Sequence, residues 1–178
     1  YVYAFEPQPE LNQYLCGIAK RSKYQNIQVE TMALSSQESD TTMNIPGGRP
    51  SPSASLIASD NKNGTQINVH TTTFDDFTLL RNLETIDLIK CDVEGHELDV
   101  LMGGKRVLTR FKPVVLIECE ARHNGPENVT AVFEFFTNLN YEGWFYDGDS
   151  FISLDNFDLY KYQTHPNRKI YVNNFFFT

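Results

Sequence analysis

At 178 residues the chain is long enough for one domain with a real core, and its formal net charge of -8 is the wrong sign for gripping a phosphate backbone. Nucleic acid is therefore not expected as a partner. With no apolar stretch long enough to span a bilayer, no visible signal peptide, and three cysteines (Cys16, Cys91 and Cys119) without metal-ligand spacing, the expectation is a cytoplasmic protein that uses no membrane. Asn63-Gly64-Thr65 and Asn128-Val129-Thr130 match the glycosylation pattern, which short sequences often meet by chance.

Residues 1–5 read as a strand that ends in Glu6-Pro7. In a dinucleotide-type fold, an acid closing the second strand accepts hydrogen bonds from the ribose hydroxyls, about 20 residues after a glycine-rich turn. Nothing precedes it here, so a first strand and its glycine-rich loop are expected upstream, between the strands that end at Glu6 and Asp92. Their loss would leave two sheet halves with unpaired edges and a poorly stable chain. Residues 9–24 have Pro9 at the start and Leu11, Tyr14, Leu15, Ile18 and Ala19 at helical spacing, which predicts a helix packed on a sheet face.

Residues 27–34 predict a strand ending in Ser35. Residues 36–64, rich in Ser, Asn, Pro and Gly, predict a long loop with one short strand at 55–58. Residues 66–72 alternate as a half-exposed strand, expected to pair with 55–58 as a hairpin. Thr73-Phe74-Asp75-Asp76 then reads as a capping box that opens a helix to about residue 82.

The stretch 86–101 organises the rest. Residues 86–91 suit a buried strand, and Leu98, Leu101 and Met102 recur at helical spacing, with Glu94 and Glu97 where negative charge favours a helix start. Between them, Asp92-Val93-Glu94-Gly95-His96 forms a polar knot at the strand exit, where open α/β sheets bind ligands. Gly103-Gly104 is expected to weaken or kink the helix. Val114 to Ile117 reads as a central parallel strand, apolar on both faces, followed by Glu118 and Glu120. A helix over 127–138 and aromatic-rich strands over 141–146 and 170–177, the last two an antiparallel pair, complete an alternating α/β sandwich on a mostly parallel sheet. Residues 147–169 read as irregular.

The string Ile89-Lys90-Cys91-Asp92-Val93-Glu94-Gly95-His96-Glu97, with Val100-Leu101 and Gly104, resembles the signature of the FkbM-type methyltransferases. Ala4-Phe5-Glu6-Pro7, Ala33-Leu34-Ser35, Thr73-Phe74-Asp75-Asp76 and the stretch 113–118 match in the same order. The resemblance implies a Rossmann-like methyltransferase sandwich with an antiparallel C-terminal edge, whose first strand and glycine-rich loop (Asp-x-Gly-x-x-x-Gly in the family) are missing from this chain. It implies S-adenosylmethionine (SAM) as cofactor and O-methylation of a small hydroxylated acceptor, a sugar or polyketide-type molecule. A chain of these residues alone is expected not to bind SAM measurably. An insertion in the 36–64 region would serve the substrate side or be a plain surface insert.

On that reading Glu6 binds the ribose, and Ser35, Asp75 on the adenine side and Asp92 complete the cofactor contacts; the other reading of Asp75 is helix capping. Asp92, Glu94 and His96 are the candidate catalytic groups, His96 being the simplest proton acceptor or else a helix-start histidine bonded to a neighbouring carboxylate. Glu118, Glu120 and His123 line the acceptor pocket or are solvated strand-end groups. Asp92, Glu94 and Glu120 could converge on a metal, but no spacing motif demands one. The rival functions are an NAD-dependent oxidoreductase and a catalytically silent binding domain.

Overall fold

The C-terminal half builds the main core by period-two alternation. In the computed structural model, which describes residues 1–23, 25–51, 53–56 and 64–178, the order opens with β1 (Val2–Phe5), α1 (Pro9–Arg21), β2 (Ile27–Glu30), β3 (Ala33–Leu34), β4 (Ser39–Ile45) and β5 (Thr65–Thr72). It continues through α2 (Phe74–Leu80), β6 (Leu88–Cys91), α3 (Glu97–Gly103), α4 (Lys105–Phe111), β7 (Val114–Glu118), α5 (Ala121–Asn124), α6 (Pro126–Asn138), β8 (Gly143–Tyr146), β9 (Phe151–Ser153) and β10 (Asn174–Phe177).

Among the described residues these strands fall into three sheets, β1-β2, β3-β5-β4 and β6-β7-β10-β8-β9. The pairs β1·β2, β3·β5 and β6·β7 are parallel, while β4·β5, β7·β10, β10·β8 and β8·β9 are antiparallel. The expected mostly parallel sheet is thus a mixed set, parallel only where a helix carries the chain back over the sheet or, for β3 and β5, where the intervening strand lies on the far side. The C-terminal antiparallel edge is as expected.

Alternate residues of the five-stranded sheet, Val115 and Ile117, Phe175 and Phe177, and Phe145, point to one side and are fully buried. Onto them pack Val129, Val132 and Phe136 from α6 and Val100, Leu101 and Leu108 from α3 and α4. Phe136 stacks on Phe177 at 3.9 Å between ring centroids, and Phe133, Phe157 and Phe175 meet edge to face. The opposite side of the sheet is open: Leu88, Val114, Tyr146 and Phe151 are exposed. β7 is central, as its apolar run predicts, yet buried on one side only.

Five stretches differ from expectation. The single strand over 27–34 is broken between Glu30 and Ala33, so its halves join different sheets. β4 lies in what reads as loop, because only Met43 and Ile45 of its seven residues are buried and its polar remainder hides the pattern. β4, rather than 55–58, pairs with β5; Ser55 bridges Asn44 instead, while residues 57 and 58 lie outside the described residues, as do Tyr24 and Asn63. On α1 the apolar Tyr14 and Ile18 are exposed, and Asn12 is the buried residue, its amide donating to the Glu6 carbonyl at 3.2 Å. The stretch 147–169 also holds β9 and a turn of π-helix at Tyr160–Thr164.

Truncating Phe136 to Ala removes the ring that joins α6 to β10. It is expected to cost about 3–5 kcal/mol, read as a lower midpoint in urea unfolding with little change of slope.

Candidate active site

The exit of β6 turns sharply into α3. Glu94 has φ 51° and Gly95 has φ 95°, so two successive residues reverse the chain, the second where a side chain would be strained. The Glu97 carboxylate pins the reversal: Oε1 accepts from the Gly95 N–H at 2.9 Å, and Oε2 is buried with no partner among the described residues. Burial pushes Glu97 upward from the usual carboxylate range, against the backbone N–H groups of Gly95, its own residue and Val93.

The small sheet holds this turn from one side. His96 Nε2 lies 2.9 Å from Ser35 Oγ, and its Nδ1 lies 3.5 Å from Asp99 Oδ2, while Ser36 Oγ donates to Asp99 Oδ1 at 2.8 Å. A proton on Nδ1 facing Asp99 leaves Nε2 to accept from the Ser35 hydroxyl. Burial holds the ring below its ordinary pKa of 6.5, with Asp99 opposing, so the neutral form is favoured. The order Ser, His, Asp is that of a nucleophilic triad, but Ser35 is buried, only 8% exposed, where a nucleophile needs access to its substrate. The closeness is enforced by Gly103, where a Cβ would stand 2.0 Å from the Ser35 carbonyl oxygen.

A second tie spans the rim. Gln8, just after β1, exchanges two hydrogen bonds with the Ser51 backbone, Nε2 to the carbonyl at 3.0 Å and N–H to Oε1 at 2.9 Å, and Ser55 Oγ donates to the Glu94 carbonyl at 2.9 Å. Ser51 and Ser55 are four residues apart, a reach of at most about 14 Å, so the segments that follow β1 and β6 are tethered near one another. Glu6 sits there half-buried, with Oε1 accepting from the Gln8 N–H at 2.8 Å. Asp92 is exposed and pairs with Lys90 Nζ at 2.7 Å. Asp75 lies elsewhere, at the start of α4, where its carboxylate accepts from the N–H groups of Arg106 (3.1 Å) and Val107 (2.9 Å) and from Arg106 Nε (3.1 Å). There Asp75 caps α4, whereas the expected box that opens α2 is closed by Thr73 and Asp76.

The exit of β7 carries the densest network. Glu120, 2% exposed, accepts from Arg122 Nε at 2.6 Å and Nη2 at 2.8 Å, from Asn173 at 3.2 Å and from the Tyr171 hydroxyl. Burial pushes its carboxyl up, but these donors outweigh it and hold it at about 2. Glu118 shares the same Asn173 amide, at 2.7 Å, and is pushed up to about 7 by burial, by its bond to Glu120 and by the charges of Asp92 and Glu120, with Lys90 opposing. His123 Nε2 lies 3.1 Å from Glu94 Oε2 and 3.9 Å from Glu120 Oε1, linking the two strand exits.

Sequence reasoning missed Gln163, 6% exposed, which donates to the carbonyls of Cys119 (2.8 Å) and Val172 (2.9 Å) and accepts from the Ala121 N–H (2.8 Å). A lone glutamine in a polar stretch gives no signal. Arg122, Tyr171 and Asn173 were missed likewise. Among the described residues no three His, Cys, Asp or Glu side chains converge to hold a metal ion; Asp92 is paired with Lys90 and Glu120 with Arg122.

The methyltransferase FkbM domain model matches residues 1–142, which takes in β1, the small sheet and the whole turn after β6. The chain belongs to the FkbM methyltransferase family. Over 46 residues, 26% of this chain, it is 50% identical to the 2-O-methyltransferase NoeI of Sinorhizobium fredii, and that match spans 19% of NoeI. The fold is similar to the crystal structure of methyltransferase FkbM from Methylobacillus flagellatus KT, with a TM-score of 0.62 and 16% identity, covering 99% of this chain and 36% of that one. The matched regions thus span well under half the length of either relative.

Two outcomes follow for this rim. Replacing Gln163 with Ala orphans three buried backbone groups and is expected to cost about 2 kcal/mol or more, read by thermal unfolding. As pH falls the unfolded chain protonates its histidine first, so the stability His96 contributes is present above 6.5 and is lost as pH descends below it. A His96→Gln variant should flatten that slope in denaturant titrations between about pH 7 and about pH 5.

Proposed function

We propose that this FkbM-family chain is a SAM-dependent methyltransferase domain acting on a hydroxyl of a small sugar or polyketide-type acceptor. The observation that carries it is the acidic turn after β6, inside the matched region, with further acids at the exits of β1 and β7 on its flanks. SAM supplies a methyl group on a sulfonium cation, and the residues fit such a donor. Carboxylates outnumber cations along the rim, Glu6, Asp92, Glu94, Glu118 and Glu120 against Lys90 and Arg122, and so set up a field favourable to positive charge.

Glu6, half-buried at the exit of β1, is suited to accept from the ribose hydroxyls, with Ser35 and Asp92 completing the cofactor side. Asp75 is assigned to hold the start of α4, because its carboxylate already serves Arg106 and Val107. Glu94, His96 and His123 keep the turn in shape through the Glu94–His123 and His96–Ser35 contacts, and Glu118 and His123 face the acceptor, with Glu120 enclosed and held by Arg122 and Tyr171. Most of the rate in such a displacement comes from alignment of oxygen, carbon and sulfur, which a fixed turn favours. Free Cys16, Cys91 and Cys119 suit a reducing, cytoplasmic setting, and among the described residues no helix is long and apolar enough to cross a membrane.

The NAD reading keeps only the acid after β1 in its favour; the family match supports methyl transfer instead. Calorimetry on the full-length protein with SAM, its demethylated product and NAD separates them. Binding of SAM and its product without NAD is expected, and Asp92→Asn should weaken SAM about tenfold, equivalent to about 1.4 kcal/mol. Binding of NAD alone, or of nothing, overturns the proposal.

A further inference from the structure

Methyl transfer to an alcohol leaves a proton to place. The three groups nearest the turn are each committed elsewhere: Asp92 to Lys90, Glu94 to His123, and both ring nitrogens of His96 to Ser35 and Asp99. Glu118 is placed differently. Cys91 pairs with Ile117 across β6 and β7, and continuing that register sets Asp92 beside Glu118 at the end of the two strands. Glu118 is half-buried, on the open side of the sheet with Val114 and Leu116, whereas Glu120 behind it is enclosed.

We propose, resting on the methyltransferase reading above, that Glu118 is the catalytic base, taking the proton of the acceptor hydroxyl at the exit of β7 while Asn173 holds its carboxylate. The bond from the acceptor oxygen to the methyl carbon forms as the carbon–sulfur bond breaks, the electron pair stays on sulfur, and the hydroxyl proton moves to Glu118. The products are a methyl ether, a neutral thioether and a neutral carboxylic acid.

The groups facing Glu118 support this role from each side. Lys90 and Asp92 come from β6 and its exit, Asn173 from the segment before β10, and Glu120, with its own partners Arg122 and Tyr171, from the exit of β7. Asn173 donates to both glutamates, so the pair is joined at one amide. Arg122 and Tyr171 give Glu120 the donors that keep it ionised, and the ionised neighbour favours the proton on Glu118. A proton-accepting group works best with a pKa near the working pH, and Glu118 stands at about 7.

The test pairs one measurement that needs no turnover with one that does. In full-length protein carrying 13C at the glutamate carboxyls, the resonance absent from Glu118→Gln should titrate with a midpoint at about 7. With labelled SAM and a set of methyl glycosides as probe acceptors, wild-type kcat/KM should rise as pH climbs through about 7. Glu118→Gln, which can keep the Asn173 bond, should lose that limb and at least about 100-fold in rate. Glu118→Asp should recover part of the rate, and the surface variant His70→Gln should keep the whole profile. A Glu118 midpoint below about 5, in the ordinary carboxylate range, or an undiminished rate in Glu118→Gln, sinks the assignment and leaves the methyltransferase reading standing. Failure of the wild-type protein to bind SAM, or to move label to any probe, sinks both.

Discussion

The geometry of this rim depends on a carboxylate taken out of water. Glu97 is 2% exposed, with one oxygen on the Gly95 N–H and the other unpartnered among the described residues, a state that costs stability unless the fold gains from it. What it gains is a fixed reversal. With Glu97 locked two residues downstream of Gly95, the left-handed pair Glu94–Gly95 has one way to run, and that places Glu94 on His123 and His96 on Ser35. The three-stranded sheet then closes on the turn from outside, close enough that position 103 admits no side chain. Turn, helix and small sheet are held as one piece although their strands belong to different sheets.

Two neighbouring glutamates at the exit of β7 show how environment separates like groups. Glu120 collects a guanidinium, a phenol and an amide, and stays ionised in spite of its burial. Glu118 has the shared amide and faces acids, so the same burial moves it the other way. Arg122, Tyr171 and Asn173 thus do for Glu118 indirectly what they do for Glu120 by contact. The cysteines on the core side, Cys91 and Cys119, are pushed up by burial and by Glu97, and remain thiols.

What the sequence discloses of this arrangement follows the range of the interaction. The Thr73–Asp76 box is legible because its two hydrogen bonds close within four residues. The kink at Gly103-Gly104, the strand before Asp92 and the aromatic antiparallel pair are equally local patterns. β4 is not legible, since its polar residues are held by β5 across more than twenty residues of chain and only Met43 and Ile45 report a buried side. Glu97 reads as one more acid at a helix start, because its bond to Gly95 is a property of the turn rather than of any spacing. Gln163 and Asn173 carry no pattern at all, and their roles exist only once β7 and β10 have paired. On α1 the periodic pattern is real, yet Tyr14 and Ile18 stay exposed, so amphipathic spacing fixes a helix without fixing what it packs on.

The electrostatics of the rim bear on why a base and an activated methyl donor would share it. In the proposed reaction, positive charge leaves sulfur as a proton arrives at Glu118, so a cation and a carboxylate become two neutral groups. In water that neutralisation sacrifices two strong hydration shells. On a half-buried rim those shells are already thinned, which is the burial that raises Glu118, so less is lost on the way to products. The same burial would make an isolated Glu118 reluctant to ionise beforehand, and a cation bound nearby offsets that reluctance. The acid at this strand exit is therefore readied by the charge that the transfer then removes, and its neutral form afterwards matches the surroundings that Glu120 and Asp92 create.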